Sequence, residues 1–234
     1  MPASNNGYNG QQTPSSSGSD FNAQTFMVWS ILATVRTMQV VKVVGVTNNG
    51  GVSPVGFVDI LPLVNQIDGA GNAEPHGVIY RCPYFRIQGG ANALILDPQE
   101  GDIGWAGFAD RDISSAVVSK GQANPASRRM FDMADAVYWG GIVNGTPNQY
   151  IAFSSSGITM VSPTKITAKA PIFEVDAPSI VLNGNMSQGT GSTSYPATLQ
   201  GPITVVNDLT AAGKSVSTHT HLENGAGHQT NPPT

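Results

Sequence analysis

Between residues 138 and 216 the chain carries short pieces of alternating sequence that are too small, and too regularly interrupted, to enclose a core of their own. Gly157-Ile158-Thr159-Met160, Lys165-Ile166-Thr167-Ala168-Lys169-Ala170, Ile172-Phe173-Glu174-Val175 and Ile180-Val181-Leu182 read as strands, separated by Ser162-Pro163, Ala170-Pro171 and Ala177-Pro178. Proline has no amide hydrogen for a sheet ladder, so each pair bends or ends the piece before it. The pairs recur eight and then seven residues apart, a weak internal repeat. Alternate residues of such pieces point to one side. Three chains wound about a common axis would turn those sides into a shared interior and close every edge. The segment from Gly201 to Gly213 repeats the alternation.

The alternation ends at Thr218-His219-Thr220-His221, where two of the four histidines stand two residues apart. On a strand, residues i and i+2 face the same side, so one chain offers two imidazole nitrogens together. A threefold axis turns two into six, an octahedral shell for a first-row transition metal. The competing reading is a solvated tail in which the spacing is coincidence.

Only 11% of residues are charged, against about 25% in ordinary soluble domains, so the surface is polar and uncharged or much of it is covered. The 27 glycines and 16 prolines favour short strands and turns over helices. A net charge of -4, with no basic stripe, argues against a nucleic-acid-coating protein, whose phosphate contacts need clustered Lys and Arg. The single cysteine, Cys82, excludes an internal disulfide framework and a Cys-type zinc site, and reads as a small buried hydrophobe. Residues 1–36 read as a flexible arm, because its first twenty residues are Ser, Gly, Asn and Gln-rich. They lack the basic and then apolar regions of a secretory signal. The apolar stretch from Phe26 to Ala33 is too short to span a bilayer.

From Gln39 the pattern changes to short apolar runs bounded by Gly, Pro, Asn or Asp. They are Val40-Val41-Lys42-Val43-Val44, Gly56-Phe57-Val58-Asp59-Ile60, Val78-Ile79-Tyr80, Ala93-Leu94-Ile95-Leu96 and the run from Ile103 to Phe108. Asn49-Gly50-Gly51 and Asp68-Gly69-Ala70-Gly71-Asn72 are hairpin signals, and no sustained helical period follows Gln39. The expectation is all-β, with a small Greek-key barrel of the OB type over residues 37–120; a small sandwich is the alternative.

Candidate catalytic groups are sparse. A glycosidase needs two carboxylates across a bond. Asp97 with Glu100, and Asp110 with Asp112, sit in turn-rich sequence and read as solvated loop residues. Ser154-Ser155-Ser156 has no adjacent histidine, no G-x-S-x-G is present, and His76 reads as a turn residue. Tyr84, Phe85, Trp105 and Phe108 could form a stacking platform for a glycan, but strand aromatics are more often core.

Several segments resemble the N-terminal barrel of the central spike protein of contractile-tailed phages of the Mu and P2 kind. They are Gly50-Gly51-Val52-Ser53-Pro54-Val55-Gly56, Pro75-His76-Gly77, Pro83-Tyr84-Phe85-Arg86-Ile87-Gln88-Gly89-Gly90, Asp97-Pro98 and Gly101-Asp102-Ile103-Gly104. Arg111-Asp112-Ile113-Ser114, Asn124-Pro125 with Arg128-Arg129, and Ala136-Val137-Tyr138-Trp139-Gly140-Gly141 look like that family's junction into its β-helix. With the terminal His219-Thr220-His221 and Asn231-Pro232-Pro233, the similarity covers residues 38–234.

The resemblance implies an all-β homotrimer: arm 1–36, OB-fold barrel 37–120, junction 121–137, intertwined triple-stranded β-helix shaft 138–216 and metal-closed apex 217–234. It implies that His219 and His221 of three chains hold one structural iron per trimer, with calcium and chloride ions suggested for the lumen. His228 departs from the pattern and reads as a surface residue. The implied protein is not an enzyme. It sits in the virion at the tail baseplate, is made in the host cytoplasm, contacts baseplate hub proteins, and perforates the host outer membrane when the tail contracts. Nucleic acid is not among the implied partners. The competing classes are a receptor- or glycan-binding tail fibre and a tail-associated cell-wall hydrolase.

Overall fold

The structure, a computed structural model, describes residues 15–48, 51–67, 72–189 and 196–221. It separates into two compact units, Met1–Ile166 and Thr167–Thr234. The described residues are mostly β, with two α-helices.

The first unit opens with helix α1, Asp20–Leu32. Part of the expected flexible arm is therefore helical. Ser19 caps it, its hydroxyl oxygen accepting from the Asn22 amide at 3.2 Å, and Asp20 places a negative charge at the positive end of the dipole. The unbroken apolar stretch that follows has none of the alternation a strand would need.

The strands then follow in order. β1 is Met38–Val46, β2 Phe57–Pro62, β3 Gln66–Ile67, β4 Ala73–Glu74, β5 Ile79–Pro83, β6 Ile87–Gly89, β7 Asn92–Leu94 and β8 Ile103–Phe108. Helix α2, Ser114–Ser119, and a single 3-10 turn, Met133–Asp135, lead to β9, Ala136–Gly141. Five of these strands form one antiparallel sheet in the order β5-β2-β1-β8-β9. The sheet curls until its two outer strands meet: Tyr84, just past β5, bridges Tyr138 of β9 in parallel, and the Phe85 amide donates to the Tyr138 carbonyl at 2.8 Å.

Period-two alternation decides what lies inside the curl. Val41 and Val43, Val58 and Ile60, Ala106 and Phe108, and Ala136 and Tyr138 are buried on alternate positions of four strands, with Cys82 and Tyr84 joining them. Each large apolar side chain so buried contributes on the order of 1.5–3 kcal/mol. Two details depart from expectation. The run 93–96 does not enter the sheet: β7 pairs only with β6, across a turn in which Gly90 takes φ 55°, and Leu94 and Leu96 stand exposed. The fifth strand comes instead from Ala136–Gly141, beyond residue 120, where the sequence ends the barrel.

Two buried charge clusters pin the loops. Arg86 holds Asp97 through Nε at 3.0 Å and Nη2 at 2.7 Å and donates to the Ser53 carbonyl, with side chains only 4% and 2% exposed. Asp112 accepts from the Ser114 hydroxyl and amide and from Ser127 Oγ at 2.7 Å, and Arg129 bridges it to Asp135. Asp97 and Asp112 are thus buried partners in ion pairs rather than solvated loop residues. After β9 a separate hairpin forms from β10, Tyr150–Ser154, and β11, Gly157–Val161.

In the second unit the expected strands 172–175 and 180–182 do not form, and neither does 165–170, which spans the boundary between the units. Every described residue from 167 to 214 is exposed, and pairing returns only at β12, Thr210–Ala211, and β13, Lys214–Ser215. A lone chain gives these pieces no neighbour to ladder with.

Two outcomes follow. A Cβ on Gly104 would collide with the Gly140 carbonyl and the Tyr138 ring, so Gly104→Ala is expected to lower unfolding stability by about 1–3 kcal/mol in urea titration. Hydroxyl donation from Ser114, then Ser127, with Arg129 adding to it, lowers the Asp112 carboxyl pKa to about 2. Its folded pKa lies below the unfolded carboxylate range near 3.9, so its contribution is complete above about pH 4 and is lost as pH falls towards 2. Asp112→Asn should flatten the acid limb of the stability profile; an unchanged limb would remove Asp112 from it.

Candidate functional site

The histidine pair follows the last hairpin. β12 and β13 pair Thr210 with Ser215 and Ala211 with Lys214, across a two-residue turn whose members, Ala212 at φ 49° and Gly213 at φ 78°, both have positive φ. Such turns match the twist of hairpin strands, and glycine takes them without strain whereas alanine does so rarely. The chain is then folded back on itself. Val216 donates its amide to the Leu209 carbonyl at 2.8 Å, and Asp208 accepts from the Ser217 amide at 3.1 Å and hydroxyl at 2.8 Å. Hydroxyl donation from Ser215 and Ser217 holds the Asp208 carboxyl below its ordinary pKa. Ser215 Oγ accepts from the Thr218 amide at 2.9 Å and hydroxyl at 2.7 Å.

This knot aims the imidazoles. His219 Nδ1 lies 3.0 Å from the Val216 carbonyl oxygen. A carbonyl can only accept, so Nδ1 is the donor in this contact and Nε2 is the ring nitrogen left for another partner. The His219 and His221 rings lie 5.0 Å apart, centroid to centroid, at 80°. No strand runs through residues 219–221, so a turn rather than a pleat brings the rings together. The strand pairing of i with i+2 that the sequence suggests is therefore not how these rings come together.

The pair fits an implied metal in two respects. A ligating histidine ordinarily donates its other ring N–H to a carbonyl or carboxylate, as Nδ1 of His219 does. With metal–nitrogen bonds of about 2.1 Å, two cis imidazoles place their centroids roughly 4.5–5 Å apart. Among the described residues no cluster of three or more His, Cys, Asp or Glu could hold an ion, so His219 and His221 would need further ligands to close a site. His228 and Asn231-Pro232-Pro233 lie outside the described residues.

The other candidates lie elsewhere. His76 Nδ1 accepts from Gln66 Nε2 at 3.0 Å, and Ser154 Oγ is 2.8 Å from Ser156 Oγ in the β10–β11 turn. Of the four aromatics, Tyr84 and Phe108 are core, while Phe85 is 52% and Trp105 38% exposed. Sequence reasoning missed Trp139, whose ring stands 5.6 Å from Phe85. The β8–β9 pairing slips at this point, from Ala106 with Tyr138 to Trp105 with Gly140. That bulge turns Trp139 outward while Tyr138 stays buried. Asp208, Ser215 and Ser217 were also passed over; an Asp before a Gly turn, followed by hydroxyl residues, was the available signal.

A second feature belongs with the histidines. Cross-strand pairing of Ile151 with Met160 and Phe153 with Ile158 puts four large apolar side chains on one face of the β10–β11 hairpin, 52–77% exposed. Ile172, Phe173, Val181, Leu182 and Val206 are 70–90% exposed further along the chain. A scan against protein-family models finds no match, and a search of curated proteins finds none either.

Proposed function

We propose that this chain is a structural tail spike: a homotrimer whose C-terminal shaft and apex perforate a host outer membrane on tail contraction, and whose barrel meets baseplate hub proteins. The observation that carries this is the run of apolar residues from Ile151 to Leu209 that one chain leaves in solvent, ending in the tied His219–His221 pair. An isolated two-stranded hairpin is marginal in water, and so large an exposed apolar surface calls for a partner. Three copies supply it for one another, because each contributes an apolar face to a shared interior. The strand order, with its antiparallel run closed by the parallel meeting of Tyr84 and Tyr138, supports a Greek-key barrel of the OB type.

In this reading His219 and His221 of three chains would hold one iron, which supplies cross-linking and no open coordination position. A needle transmits force only if its end does not fray, and chain ends are ordinarily the first part to loosen. Tying three ends at one point converts binding energy, on the order of 10 kcal/mol, into folding energy of the tip. Asp208, Ser215 and Ser217 do the local part by fixing the turn before the rings. Penetration is then mechanical work done by the tail, and no helix among the described residues is long and apolar enough to cross a membrane itself.

Light scattering of the purified chain should give three times the chain mass, unchanged on dilution; a folded monomer would end the proposal. Phe153→Ser should weaken the trimer by about 3–5 kcal/mol per chain, the cost of emptying a buried aromatic site, while Thr159→Ser on the other hairpin face should not. Elemental analysis should find one iron per three chains. His219→Ala or His221→Ala should abolish it and leave the shaft trimeric, and His228→Ala should leave it in place. Full metal content in His219→Ala would show that the ligands lie elsewhere.

A further inference from the structure

Two apolar surfaces of the first unit remain unused by a shared shaft. One is a face of helix α1. Phe21, Val28 and Leu32 fall at i, i+7 and i+11, flanked by Trp29 and Ile31, and all five are 51–75% exposed. Elsewhere on the helix Phe26 and Ser30 are partly covered while Met27 is exposed, and no residue of the helix is buried. No charged residue occurs between Asp20 and Arg36. Thirteen residues make fewer than two heptads, too few to sustain a coiled coil, and a helix of that length is marginal in water alone. Such a spacing of anchors is what a helix lying in an apolar groove presents.

The other surface is concave. A cleft of about 520 Å³ opens between the β6–β7 hairpin and β9, walled by Ile87, Leu94 and Leu96 on one side and by Phe85 and Trp139 on the other. Leu96 is 85% exposed and the two rings are about half exposed. Of the charges in its lining Arg86 and Asp97 neutralise each other, and Asp102, which accepts from the Gln99 amide, is left as one carboxylate at the cleft. An uncharged helix face and the apolar walls Ile87, Leu94, Leu96, Phe85 and Trp139 match in character, and aromatic anchors such as Trp29 and Phe21 are the kind that dominate contacts of this sort.

A single chain leaves both surfaces in solvent. A cyclic trimer is built from heterologous contacts, in which one patch of each copy meets a different patch of the next, and three such contacts close the ring. We infer that α1 of one chain seats its Phe21, Val28 and Leu32 face in the Phe85–Trp139 cleft of the next, strapping three barrels into a ring. This rests on the trimeric reading and adds to it: the barrel end has its own assembly contact, separate from the shaft.

Cysteine cross-linking of the full chain tests it. Val28 and Leu96 are exposed, so Val28→Cys with Leu96→Cys leaves the core untouched. Cys82 is buried, and burial first and Asp59 second push its thiol up to about 12, which keeps it out of exchange. Under oxidised glutathione the double variant should run as a covalent trimer on a non-reducing gel, because a heterologous ring closes at three where a symmetric pair would stop at two. Ala23→Cys with Leu96→Cys, on the other side of the helix, should stay a monomer. A monomer band whose mass shows the two introduced thiols joined to each other within one chain, with no glutathione attached, would mean the helix docks on its own barrel, whereas thiols capped by glutathione count as not joined. Unjoined thiols in a particle that scatters as a trimer would mean it docks elsewhere; either result overturns the strap and spares the trimer. Cross-linking of the Ala23 variant to the same extent would reduce the contact to random collision. A wild-type chain that scatters as a monomer would remove the trimer and the strap together.

Discussion

One hydrogen bond closes the first unit. The Phe85 amide reaches the Tyr138 carbonyl at 2.8 Å, and with it the two outer strands of the sheet meet. An open five-stranded sheet would leave β5 and β9 as unpaired edges; here each partly covers the other. The same contact sets everything around it. Tyr138 is held in the core over Gly104, where only a glycine leaves room for the Gly140 carbonyl and the phenol ring. Trp139, displaced by the bulge, faces out beside Phe85. Arg86, one residue beyond the closing amide, carries the buried pair to Asp97, and removing one member of such a pair costs about 3–5 kcal/mol because the other charge is stranded.

The two units are stabilised by different physics. The first has a core of alternate Val, Ile, Ala, Phe and Tyr positions and two buried ion-pair clusters. Among the described residues of the second, order concentrates where hydroxyl groups and Asp208 tie the turn before the histidines. Hydroxyl bonds to a carboxylate need neither bulk nor a core.

How far the sequence foretold this depends on whether each element draws its order from nearby residues. The alternation of Val41 and Val43, or of Ala106 and Phe108, is local, and those strands appear where the pattern puts them. Ala136-Val137-Tyr138 carries the same alternation, but its place in the sheet depends on pairing with β8 about thirty residues earlier, which no local pattern reveals. Helix α1 had a signal in Ser19 and Asp20, outweighed by the polar composition before it. Asp97 and Asp112 look like loop carboxylates because their partners, Arg86 and Arg129, are distant in sequence. The spacing puts His219 and His221 near each other in the sequence, but the pleat it suggests does not form, and the turn before the rings depends on Asp208, eleven residues upstream.

Proline spacing also governs what the exposed strand sequence of the second half can do in solvent. Apolar strand sequence in solvent is what stacks into cross-β aggregates, and the stacking needs six or seven residues free of proline with little net charge. Pro163, Pro171 and Pro178 cut the segment into windows of about that length, and each window carries two like charges: Lys165 and Lys169 in the first, Glu174 and Asp176 in the second. Identical windows laid in register would set lysine on lysine and acid on acid. Laid one window out of step, the positive band of one chain would face the negative band of the next. The few charges in this stretch thus discourage the flat, in-register stack.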